Sequence, residues 1–165
     1  MKKTAFCGLM LALALIASYV ESLIPVPIPV PGIKLGVANS VVLILLYYSN
    51  SKTAWGISIT RVILSGFMFG SLSSVLYSLS GAILSLLIMS FCKKRDCFTM
   101  TGVSVAGGVS HNIGQIIMAY LVLESNAVWY YLPILLVSGC ITGSLIGILG
   151  KEIFRRLPKE QTAGL

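Results

Sequence analysis

Acidic side chains are nearly absent from this sequence. Asp and Glu supply five of 165 residues, Asp96 is the single aspartate, and charged residues make up 10% against the roughly 25% usual in soluble domains. So few charges cannot solvate a domain of this length, and so apolar a chain does not stay disordered. With one aspartate there is no pair to hold magnesium against a diphosphate, which excludes prenyl chain elongation by this chain alone. No G-x-x-x-x-G-K-[ST] loop occurs, so the chain does not drive transport with ATP by itself. The single histidine, His111, and the cysteines Cys7, Cys92, Cys97 and Cys140, without C-x-x-C spacing, make no zinc or redox centre. Ser110 and His111 diverge by about 100° on a helix and have no orienting acid, which argues against a hydrolase. The chain therefore reads as no enzyme, with no metal and no cofactor.

What is present is hydrophobic: 56% of residues are apolar and the mean hydropathy is +0.94. At about 20 residues per span the length holds about six transmembrane helices. The apolar runs place them over residues 5–23, 36–48, 53–69, 71–91, 98–123 and 129–149, as one all-α bundle over residues 1–165 in a lipid bilayer. Lys2 and Lys3 before an apolar run also fit a signal peptide, but the run is long and the remainder equally apolar, so the first helix is expected to be retained. Alternating prolines from Pro25 to Pro31 forbid a helix, so residues 24–35 are expected to form an extended outer strap. No internal repeat supports a two-halved transporter. The net charge of +7 does not indicate nucleic acid, because the basic residues sit at helix ends. Placing the N-terminus inside puts ten of the twelve on the inner side and Lys34 outside, which predicts an N-in, C-in topology.

Small residues mark helix contacts. Gly139, Gly143 and Gly147 repeat every four residues on the sixth helix, and Gly70, Ser74, Ser78, Gly81 and Ser85 share a face of the fourth. Ala5, Gly8 and Ala12 share a face of the first, suited to packing within the bundle or docking against a partner subunit.

The twelfth basic residue, Arg61, falls inside the membrane, about eight residues into the third helix and so roughly 12 Å deep. Glu21 and Glu124 belong near the outer edge and the other acids near the inner one, so no carboxylate partner is evident. Two readings stand: Arg61 is held by carbonyls and side-chain amides, or it meets an anionic ligand that suits its fixed donors. Ser104, Gly108, His111 and Gln115 share a face of the fifth helix, beside Asn112. That face either binds a ligand, with Asn39 completing the set, or holds helices together by hydrogen bonds. Lys34 is placed to draw an anion to the entrance.

The segments from Pro31 to Asn39, Arg61 to Ser71, Leu76 to Ser78 and His111 to Gln115 resemble the bacterial membrane family of Gx transporters, also known as heptaprenyl diphosphate synthase component I. The resemblance runs from about residue 4 to 157. It implies kinship with the S components of energy-coupling factor transporters, six-helix proteins that capture a vitamin-like substrate and work with a transmembrane coupling subunit and two ATPases. Small residues on the first helix commonly form their docking face, which Ala5, Gly8 and Ala12 match. The family name implies instead a place beside a soluble prenyl diphosphate synthase in isoprenoid or menaquinone synthesis, and the family is also associated with flavin-based extracellular electron transfer. The reading that joins residues and resemblance is an S-component-like protein of the bacterial cytoplasmic membrane. Arg61, Asn39, His111, Asn112, Gln115 and Lys34 would bind a small anionic or amphipathic molecule of vitamin, flavin or quinone type. Its alternative is a non-catalytic accessory subunit.

Overall fold

The computed structural model describes residues 2–23, 37–95 and 98–156, and among them it is all helical. Six α-helices follow in order: α1 (Lys2–Leu23), α2 (Val37–Tyr48), α3 (Ser51–Phe69), α4 (Leu72–Lys94), α5 (Met100–Leu123) and α6 (Leu132–Arg156), with a 3-10 segment (Asn126–Tyr131) leading into the last. The strap expected over residues 24–35, with Lys34, lies outside the described residues, as does Cys97.

Short polar side chains set the helix starts. Asn50, Ser71 and Thr99 each accept the backbone N–H three residues on, satisfying a donor that the first turn leaves open. These caps explain why α3 begins at Ser51, ahead of the expected 53, and α4 and α5 one and two residues late. α5 ends at Glu124, whose left-handed backbone (φ 49°) turns the chain while its N–H donates to Tyr120 O at 2.9 Å. α6 departs furthest from expectation. Residues 129–131 belong to the 3-10 segment, Pro133 stands in the first α-helical turn where its missing N–H costs nothing, and the helix runs on to Arg156, whose positive charge suits a C-terminus.

Among the described residues four stretches are long and apolar enough to cross a membrane: Thr4–Leu23, Leu72–Lys94, Met100–Leu123 and Asn126–Arg156. The six helices expected are all present among the described residues, and these four are the ones whose length and composition alone suit a crossing. α2 has twelve residues, about 18 Å of helix against a hydrocarbon core of about 30 Å, and α3 carries Lys52, Ser58, Thr60, Arg61 and Ser65. α2 is largely buried within the bundle, whereas α3 buries one face and exposes Ile63, Leu64, Phe67 and Met68 on the other. α2 through α6 close a ring, each packed on the next and α6 returning to α2, while α1 lies over the α2–α3 seam. Among the described residues every basic residue except Arg61 stands on a helix end at one end of this ring.

Two apolar clusters fill the bundle at different heights. Near the basic end, Val42, Leu43, Leu45 and Leu46 of α2 pack on Ala54, Ile57, Leu86, Met89 and Val103. Near the other end, Tyr77, Ile116, Ala119, Val128 and Leu135 form a second. Lys93 closes the basic end by donating to the Leu46 carbonyl with its ammonium 5.3 Å from the Tyr47 ring centre.

The most extensive packing is α5 on α6 and α4 on α5. Lipid is as apolar as leucine, so these helices gain little by leaving it and must instead approach closely and share hydrogen bonds. Glycine permits the approach. A Cβ on Gly108 would lie 2.6 Å from Gly139 O, one on Gly143 2.7 Å from Val105 Cα, and one on Gly147 2.6 Å from Thr101 Cα, so the two backbones touch over three turns. The expected stripe of Gly139, Gly143 and Gly147 is therefore the face of α6 that meets α5. Gly8 has no atom within 4 Å of its would-be Cβ, and with Ala5 and Ala12 it is exposed on the outer face of α1.

Gly143→Ala is expected to lower the stability of the detergent-purified protein by about 1–3 kcal/mol, because the methyl meets backbone that cannot rotate away. Gly8→Ala serves as the control and should leave the thermal midpoint in place. Equal midpoints for both variants would show that the α5–α6 contact does not hold the bundle.

Candidate functional site

Between the two apolar clusters lies a polar layer. Ser18 and Glu21 come from α1, Ser58, Arg61 and Ser65 from α3, Ser85 from α4, and Ser104, Ser110, Asn112 and Gln115 from α5, all of them buried. A polar group in hydrocarbon costs free energy unless it is partnered or wet. Arg61, 7% exposed, shows how the cost is met. Its Nη1 donates to Ser18 Oγ at 3.2 Å and its Nη2 to Asn39 Oδ1 at 3.2 Å. Its Nε–H is buried with no hydrogen-bond partner among the described residues. The short α2 makes the second bond possible, because a helix that begins at mid-bundle presents Asn39 from its first turn at the depth of Arg61.

Two cavities flank this cation. The first, about 30 Å³, is lined by Glu21, Asn39, Arg61, Val62, Ser65, Ser78 and His111. The second, also about 30 Å³, is lined among others by Asn39, Ser85, Ser104, Gly108, His111, Asn112 and Thr142. Asn39 and His111 border both, so the two form one chamber divided by those side chains. Each half has room for a water molecule or two and not for a vitamin-sized body, which needs some hundreds of Å³.

The chamber straddles a seam. On one side α1, α2 and α3 bring Ser18, Glu21, Asn39 and Arg61. On the other, α4, α5 and α6 bring Ser78, Ser85, His111, Asn112 and Thr142. That second wall is sewn together by hydrogen bonds from side chains to glycine and leucine carbonyls: Ser80 Oγ to Gly114 O at 2.8 Å, Ser85 Oγ to Gly107 O at 2.8 Å, and Asn112 Nδ2 to Leu135 O at 2.6 Å. A Cβ on Gly81 would lie 2.8 Å from the His111 carbonyl oxygen and 2.9 Å from its ring, so the imidazole is seated directly on the α4 backbone. The α3–α4 and α2–α6 contacts that close the seam are less extensive than those within α4–α6.

Of the residues read from sequence, Arg61, Asn39, His111 and Asn112 meet in the chamber. Gln115 is buried one turn further along α5 and lines neither cavity. Asn112 is also a helix-to-helix tie. Glu21 corrects the expectation that Arg61 has no carboxylate near it: 6% exposed, it lines the Arg61 cavity. The signal was present in α1, where Ala14, Ser18 and Glu21 follow at helical spacing and are all buried.

Residues 10–153 match the family described as heptaprenyl diphosphate synthase component I. The chain belongs to that family. Searches among curated proteins and among solved structures give no match. In this member of the component I family the match contains every residue that lines the two cavities, from Glu21 to Ile146, and it leaves out Ala5 and Gly8.

Asn112→Ala removes a buried tie, and the expected loss is about 1 kcal/mol of stability. Thermal unfolding in detergent reads it. An unchanged midpoint would show that the Asn112 amide does not contribute to holding α5 and α6 together.

Proposed function

We propose that the protein is a membrane binding subunit, S-component-like, that holds a small anionic or amphipathic molecule in the chamber between α1–α3 and α4–α6. The observation that carries this reading is a guanidinium buried at mid-bundle whose Nε–H has no partner among the described residues, at the seam between a glycine-sewn wall and a looser one. Five fixed donors suit a carboxylate or phosphate. Asn39 and His111, which border both cavities, orient the ligand. Because the cavities are water-sized, binding parts α1–α3 from α4–α6 along the less extensive contacts. The chain does no chemistry of its own in this reading. Its single aspartate, Asp96, gives no metal-diphosphate centre. Lys34 and Gln115 belong to the proposal only as an outer attractor and a support for α5.

We further infer an N-in, C-in arrangement in a bacterial cytoplasmic membrane, supported by the gathering of basic residues at one end. The outward face of α1 with Ala5, Gly8 and Ala12 is then a surface for a transmembrane coupling subunit linked to ATPases. The family description favours a second reading, in which the partner is a soluble prenyl diphosphate synthase and the polar layer only holds the bundle.

Native mass spectrometry of the protein released from mild detergent decides between them. The expected result is one stoichiometric molecule with an anionic group, retained by the wild type and lost in Arg61→Gln while the variant stays monodisperse. An empty wild type that brings down a prenyl synthase would overturn the binding reading. For topology, a C-terminal green fluorescent protein fusion should fluoresce and a C-terminal alkaline phosphatase fusion should be inactive; the opposite pair of results would reverse the orientation.

A further inference from the structure

Two opposite charges share the first cavity. Arg61 and Glu21 line it together with neutral Val62, Ser65 and Ser78, and both are more than nine-tenths buried. The guanidinium keeps its proton at any pH a cell meets, so the net charge of the chamber is set elsewhere. The groups that titrate and face Arg61 are Glu21 from α1 and His111 from α5. α2 contributes Asn39, α4 Ser78 and Ser85, and α6 Thr142, none of which titrates in that range.

With Glu21 ionised and His111 neutral the chamber carries no net charge. An anionic group seated on Arg61 would make it negative inside hydrocarbon, where an uncompensated charge is costly. The anion and the Glu21 carboxylate would also compete for one cation. Once the guanidinium is engaged, a carboxyl buried beside it is held best in its neutral form. We propose that the chamber takes up an anionic group only together with a proton, and that Glu21 is the carboxyl that accepts it. The proton comes from water and is released when the anion leaves. The inference rests on the binding reading above and deepens it: the substrate class is an anion whose loading is proton-linked.

Asn39 supplies a test that needs no ligand. Its Oδ1 lies 3.2 Å from Arg61 Nη2, so Asn39→Asp places a carboxylate where a bound anion would sit, with hardly a change of shape. The probe is dicyclohexylcarbodiimide, which reaches carboxyls through the apolar phase and reacts with the protonated form. The full chain in lipid nanodiscs is treated at pH 7.5 and the adduct located by peptide mass spectrometry. Position 21 is expected to be little modified in the wild type and modified on the order of tenfold more in Asn39→Asp, as for a carboxyl whose titration has moved by a unit or more. Arg61→Gln, which removes the cation, should modify position 21 likewise, and Arg61→Lys, which keeps a charge, should not. Either of the first two variants suffices if the other fails to fold.

Full modification of the wild type at position 21 would overturn the proposal. So would modification of position 39 in place of 21, or an unmodified position 21 in the folded variants. Such a failure beside a co-purifying anion would remove the proton linkage and leave the binding reading intact. Modification of position 21 as expected, in a protein that carries no molecule, would remove the binding reading and keep Glu21 as the proton acceptor governed by the charge at Arg61.

Discussion

A guanidinium in the middle of an apolar bundle has to be partnered, and the first half of this protein is arranged to do it. Arg61 cannot shed its charge, so its donors must be met by groups at its own depth. α1 brings Ser18 and Glu21 there on its buried face, and α2 brings Asn39 by starting late. A full-length second helix would have carried an ordinary apolar residue past that point. The shortness of α2 is thus part of how the charge is accommodated, and the apolar run from Val42 to Leu46 below it seals the chamber from the basic end.

The second half solves a different problem. α4, α5 and α6 gain nothing by exchanging lipid for one another's leucines, so their association depends on backbone proximity and on hydrogen bonds. Gly81, Gly108, Gly114, Gly139, Gly143 and Gly147 provide the first, and Ser80, Ser85 and Asn112 the second. Glycine at these positions has a consequence for the chamber. With backbones in close approach and short polar side chains tying them, the three behave as one wall, and His111, lodged on Gly81, takes its position from that wall. Arg61 takes its position from the other. The distance between the cation and the imidazole is therefore set by how the two halves meet, which is where the packing is least extensive.

Much of this was legible in the sequence because its signals are local. Long apolar runs and glycine repeats each declare themselves within a few residues, and Arg61 and His111 stand out against an apolar background. What was not legible depended on relating one helix to another. Counting depth along the chain put Glu21 at the outer edge, because it stands two residues from the end of α1; only the lie of α1 over the α2–α3 seam brings it into the Arg61 cavity. Gln115 shares a face with His111, yet that face continues past the chamber into the second apolar cluster around Ile116 and Ala119. Asn112 looked like a ligand group, and its amide is engaged with the Leu135 carbonyl, a partner 23 residues away. The start of α6 was placed early because residues 129–131 are apolar and aromatic, while Pro133 delays the α-helix to Leu132.

α1 faces two ways, and that ties the chamber to the outside of the bundle. Its inner stripe carries Ser18 and Glu21; its outer stripe carries Ala5, Gly8 and Ala12, with nothing packed on Gly8. The outer stripe spans residues 5–12 and the inner one residues 18–21 of the same continuous helix, so a rotation of α1 about its axis at one stripe is carried to the other. In the proposed reading a partner seated on the outer stripe would therefore act directly on the two α1 side chains that face Arg61. The same rotation that draws Ser18 Oγ from Nη1 would free donors for an anion or withdraw them from one. In that reading no signal need cross the glycine-sewn wall, and α4–α6 can remain fixed while the setting of α1 determines whether Arg61 is engaged by Ser18 or by the proposed anion.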